Sequence, residues 1–103
     1  MASWQKERKE EYEKYADELM EVIRKIAGDR ELLNAFFRDI LSPAEYKELG
    51  VRWQIVKQLA AGVSQREIGK NLHVAVATVT RGSRELADLR GGFQRVLEKI
   101  AKK

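Results

Sequence analysis

Two arginines, Arg52 and Arg81, are the residues of this chain best placed to do chemistry. A guanidinium is planar and always charged, so it forks onto carboxylates and stacks on flat molecules. On a helix, Arg52 shares a stripe with Ile55, Val56 and Leu59, because residues three, four and seven apart lie on one face. An arginine there either lays its stem along a core and snorkels or turns its plane towards a ligand. Arg81 is followed by Gly82. A glycine inside a helix costs roughly 1 kcal/mol relative to alanine, so it needs a reason. Either a ligand approaches the backbone there, or another helix crowds it. Residue types alone leave both alternatives open.

Other chemistries find little material. There is no cysteine among the 103 residues, which rules out disulfides and thiolate metal sites. A single histidine, His73, argues against a histidine-based metal or catalytic site. No nucleophile–base pair or metal cluster can be assembled with any definition, so an enzyme is not expected, and no cofactor or metal is assigned.

The elements around Arg81 are the most informative. Residues 64–87, SQREIGKNLHVAVATVTRGSRELA, read as a helix-turn-helix spanning about 65–88, a unit that lays one short helix across DNA and the next in the major groove. Ile68, Leu72, Val74 and Val79 fall where the two helices must touch, and Gly69 where they cross most closely. Ser64 and Glu67 form an S-x-x-E capping box. The turn falls near His73, where many such motifs carry glycine because the backbone goes left-handed; histidine is a departure, though it tolerates that region better than most non-glycine residues. An ordinary helical hairpin is the alternative.

Charge agrees with a DNA partner. Residues 1–49 hold 9 Lys/Arg against 12 Asp/Glu, whereas residues 50–103 hold 11 against 4. The basic half is the half with the helix-turn-helix, as a phosphate partner requires.

The whole chain reads as helix, in one domain over residues 1–103. A first helix from about Trp4 to Ala27 carries Tyr12, Tyr15, Leu19, Val22 and Ile26 as a narrow apolar seam, suited to another subunit. Asp29 caps a short second helix, Arg30 to Ile40, whose Leu32, Leu33, Phe36, Phe37 and Ile40 are expected in a core. Ser42, Pro43 and Glu45 start a third, which Gly62 ends. After Gly91 and Gly92, a last helix from Phe93 to about Ala101 is expected to turn Phe93, Val96, Leu97 and Ile100 inward. No apolar run approaches the ~20 residues of a membrane span, and the first residues lack a signal-peptide core. The expected location is the cytoplasm.

Three segments, LSPAEYKELGVRWQI at 41–55, SQRE at 64–67 and TVTRGS at 78–83, resemble the bacterial tryptophan repressor family. The resemblance implies an all-α, six-helix subunit in an interlocked homodimer that binds operator DNA when L-tryptophan, its corepressor, is bound. It implies that Arg52 and Arg81 sandwich an indole, that Gly82 packs on it, and that Ser42 and the Leu41 carbonyl hold its polar end. Glu85 stands near that ligand where the family often has a small polar residue; its carboxylate either pairs with an amino group or repels a carboxylate. Gln65, Arg66, Val76, Ala77, Thr78 and Thr80 match operator-facing positions. Gly69 replaces a position often basic in the family, with Lys70 adjacent. The tail, GGFQRVLEKI, is more similar to a second branch of the superfamily. An effector-independent helix-turn-helix DNA-binding protein is therefore the alternative function, and a helical dimer that docks on another protein is a third.

Overall fold

The computed structural model describes residues 3–102, with side chains from Arg8 onward. Six helices follow one another: α1 (Ser3–Ile26), α2 (Arg30–Ile40), α3 (Pro43–Ala60), α4 (Gln65–Leu72), α5 (Val76–Leu86) and α6 (Gly92–Ala101). No strand occurs among the described residues. The all-α expectation holds, with helix ends within about a residue or two of those read from the sequence.

Local chemistry explains most of these ends. The Asp29 side chain accepts a hydrogen bond from the Leu32 N–H at 3.1 Å, satisfying a donor that the first turn of α2 leaves unpaired. Pro43 opens α3, where its missing N–H costs nothing. At the other end Gly62 adopts φ +85°. The Val63 N–H bonds back to the Gln58 carbonyl and the Gly62 N–H to the Leu59 carbonyl, the paired closure of a Schellman motif. Ser64 Oγ accepts from the Glu67 N–H at 3.2 Å and starts α4. His73 ends it at φ 56°, ψ 45°, in the left-handed region. It is the one non-glycine residue with positive φ among the described residues.

The chain divides into two compact units, residues 1–43 and 44–103. In the first, α1 packs on α2, and no residue of α2 is buried. Leu33, Phe36 and Phe37 are half-buried, while Leu32 and Ile40 stand exposed. The expectation that all five lie in a core is corrected: two helices meet along one line, and a wide apolar face exceeds what one neighbour covers. Tyr12, Tyr15 and Val22 of the α1 seam are exposed as well.

In the second unit the core is Ile55, Ile68 and Val79, with Val51, Leu59, Val63, Leu72 and Val74 against it. Each of α3, α4 and α5 contributes one central residue, so the three helices are held to one another. The four residues expected at the α4–α5 contact all belong to this cluster. Gly69 is buried where the helices cross: a Cβ there would lie 3.1 Å from the Val74 carbonyl oxygen. Asn71 donates to Gln58 at 3.1 Å, tying α4 to α3, and Gln94 donates to the Leu86 carbonyl at 2.7 Å, tying α6 to the end of α5. The inward face expected of α6 is only half realised. Phe93 and Leu97 are half-buried, whereas Val96 and Ile100 are exposed, because α6 packs on α5 along one side only.

Candidate functional site

A pocket of about 360 Å³ opens in the second unit. Glu48, Arg52, Ile55 and Val56 of α3 form one wall, and Ala77, Thr78, Arg81, Gly82 and Glu85 of α5 another. Phe93 of α6 completes the lining. Ligand pockets run from about 300 to 1,000 Å³ and combine apolar walls with a few polar groups. This one falls in that range and sets Ile55, Val56 and Phe93 beside the charged Glu48, Arg52, Arg81 and Glu85.

The two arginines reach the pocket from different helices. Arg52 is half-exposed and donates to Glu48 Oε1 at 2.7 Å, one turn earlier on α3. The Arg81 side chain has no hydrogen bond or ion pair among the described residues. Its exposed side chain is available to a partner. The side chain of Glu85, four residues on and also exposed, likewise has none.

Gly82 answers the question the sequence left open. A Cβ at this position would lie 2.9 Å from Ile55 Cγ2 and 3.7 Å from Leu59 Cδ1. Carbon atoms in good contact stand about 3.5–4.0 Å apart. The close neighbour of Gly82 is therefore α3, and helix crowding accounts for the glycine. Gly82 also lines the pocket, so its backbone is open to a ligand on the remaining side.

Of the ligand residues inferred from the resemblance, Arg52, Arg81, Gly82 and Glu85 come together in this pocket. Leu41 and Ser42 belong to the first unit and are not among its lining residues. The DNA-facing set divides. Arg66, Lys70, Val76, Ala77 and Thr78 are exposed, with Ala77 and Thr78 also lining the pocket. Gln65 and Thr80 are half-buried and bonded to each other: Thr80 Oγ1 donates towards Gln65 Oε1 at 2.7 Å and lies 3.0 Å from the Val76 carbonyl. That link braces α4 against α5.

Sequence reasoning missed Glu48, Ile55, Val56 and Phe93 as pocket residues. Glu48 left a signal, since a glutamate four residues before an arginine pairs with it on a helix. Phe93 left none, because the packing of α6 on α5 is a tertiary fact.

The model of the family described as Trp repressor protein matches residues 14–101. A Trp operon repressor homolog of Pasteurella multocida is 51% identical over 45 residues, covering 43% of this chain and 44% of that protein. One from Mannheimia succiniciproducens is 41% identical over 61 residues, 58% of this chain and 60% of that protein. One from Chlamydia trachomatis is 37% identical over 68 residues, 65% of this chain and 72% of that protein. The chain spans roughly half the length of the first of these relatives.

Proposed function

Since the chain belongs to the Trp repressor family, we propose that it is a transcriptional repressor that binds operator DNA as a homodimer when L-tryptophan occupies the α3–α5 pocket. The observation that carries this reading is the meeting of Arg52 and Arg81, from two helices, on one pocket with apolar walls. Two planar cations so placed suit an aromatic ring and a carboxylate together. The assignment of Leu41 and Ser42 to the ligand's polar end rests on the resemblance alone.

The gating follows from the position of α5. A ligand between α3 and α5 favours whichever α5 position it packs against best, and DNA selects among the same positions. Each ligand then strengthens the other's binding. Arg66 and Lys70 on α4 supply exposed positive charge, and Ala77 and Thr78 the exposed start of α5. In a symmetric dimer the two reading helices would enter major grooves about 34 Å apart. The exposed Tyr12, Tyr15, Leu32 and Ile40 support self-association, because an apolar surface of that kind gains from burial. The repressor would act in the cytoplasm.

A specific observation favours the second reading, a DNA-binding protein without an effector. Gly82 is accounted for by Ile55, and Arg52 by Glu48, with no ligand invoked. Calorimetric unfolding with and without L-tryptophan separates the two. Ligand at 100 times its dissociation constant stabilises the native state by about 2.7 kcal/mol, a shift of several degrees for a protein of this size. A shift with L-tryptophan and not with other amino acids supports the gated repressor. No shift at millimolar ligand, with DNA binding intact, establishes the effector-free reading.

A further inference from the structure

The resemblance makes Gln65 and Thr80 contacts to DNA, whereas the structure ties them to each other. Gln65 is the first residue of α4, and Thr80 lies one turn into α5. Their 2.7 Å bond is the one side-chain hydrogen bond between α4 and α5 among the described residues. The rest of that contact is apolar, through Ile68, Leu72, Val74 and Val79. Apolar burial is non-directional, so it holds two helices together without fixing how one is turned on the other. A hydrogen bond is directional. This one also sits about 6 Å along α4 from Gly69, four residues at the helical rise, and Gly69 is where the helices cross. The bond therefore opposes rotation about the crossing. It can open without stranding a polar group. Thr80 Oγ1 lies 3.0 Å from the Val76 carbonyl, so its hydroxyl keeps an acceptor in its own helix, and the half-buried Gln65 amide can turn to water. Losing the bond costs register before it costs folding.

We propose that the Gln65–Thr80 bond sets the register of α5 on α4, so that both are positioning residues for sequence discrimination and neither touches DNA. The inference rests on the DNA-binding reading above and takes two residues out of its expected contacts. Phosphate contacts from α4 do not depend on how α5 is turned, and they carry no sequence information. Contacts to base edges from the exposed start of α5 do depend on it, because a hydrogen bond weakens steeply as its angle closes. The brace therefore acts on the ratio of specific to non-specific binding.

The probes are a DNA duplex that the wild type selects from a random pool and a scrambled duplex of the same length. Both are titrated with the full chain by fluorescence anisotropy in millimolar L-tryptophan, and the readout is the ratio of the two affinities. Thr80→Val keeps the side chain's shape and removes its hydroxyl, Gln65→Leu removes the amide, and Thr80→Ser keeps the hydroxyl. A neutral hydrogen bond shifts an equilibrium about two- to tenfold, so Thr80→Val and Gln65→Leu should each lower the ratio by that factor, while Thr80→Ser retains it. The double variant should fall no further than the single ones, because one bond cannot be lost twice. Losses that multiply in the double variant mean two independent DNA contacts and overturn the proposal. An equal loss on both duplexes, the sign of a phosphate contact, overturns it too, as does a ratio that neither variant moves. Unfolding midpoints check that the variants are folded at the titration temperature; if Thr80→Val is not, Gln65→Leu at the first position of α4 decides. A wild type that selects no sequence overturns the DNA-binding reading itself, and this inference with it.

Discussion

Gly82→Ala offers a quantitative test of the α3–α5 contact. In an open helix position the change would stabilise by about 1 kcal/mol, because alanine is the better helix former. Here the new methyl would meet Ile55 Cγ2 at 2.9 Å. Ile55 cannot yield cheaply. It is only 2% exposed, and a β-branched side chain in a helix has one strongly preferred rotamer. Overpacking of this kind costs about 1–3 kcal/mol. The net effect is therefore between about 0 and 2 kcal/mol of destabilisation. Gly50→Ala is the matched control, because Gly50 lies inside α3 and its added Cβ would meet nothing within 4 Å. It should gain the full 1 kcal/mol or so.

The difference between the two variants isolates the steric term. It should be at least about 1 kcal/mol, or some 4 °C or more in unfolding midpoint for a domain of this size. Urea unfolding at one fixed protein concentration measures it, provided the slope with denaturant stays constant. A Gly82→Ala protein as stable as Gly50→Ala would refute the reasoning. The helix would then have room for a side chain, and the glycine would need a ligand to explain it.

His73→Gly should stabilise by up to about 1 kcal/mol, since a left-handed conformation costs a non-glycine residue about 1–2 kcal/mol and glycine returns part of that as chain entropy; thermal unfolding shows the sign. Lys70→Ala should flatten the plot of log K for DNA against log salt by about 1.8 for a homodimer, about 0.9 for each ammonium that neutralises one phosphate, and an unchanged slope measured by titration would place Lys70 away from the backbone.

What the sequence made legible was mainly local. Asp29, Ser64 and Gly62 act at helix ends because capping depends on a few neighbouring atoms, and those atoms are fixed by spacing. The left-handed turn at His73 was legible for the same reason, as was the cluster of Ile68, Leu72, Val74 and Val79. Periodicity was less informative elsewhere. It identifies the apolar face of α2 and of α6, but it does not say what covers that face, so Leu32, Ile40, Val96 and Ile100 were expected inside and stand exposed. The candidate site divides along the same line. Arg52, Arg81, Gly82 and Glu85 were expected together, whereas Phe93 depends on how α6 docks on α5, a contact between residues that no local rule relates.

α5 connects the two halves of the proposed function, and its faces can be told apart by residue. Val79 is fully buried in the three-helix core. Thr80 is bonded to Gln65, which fastens α5 to α4. Arg81, Gly82 and Glu85 line the pocket, and Thr78 stands at its exposed edge. A side chain tied to a partner helix must break that tie before it can read a base, whereas an exposed one need not. The Gln65–Thr80 pair is thus better suited to keeping α4 and α5 in register, and in the proposed function contact with DNA would fall to the exposed Arg66, Lys70, Val76, Ala77 and Thr78. With α4 and α5 fastened together, a ligand that displaced α5 in the proposed mechanism would carry α4 with it, so the pocket would act on the whole reading unit rather than on one helix.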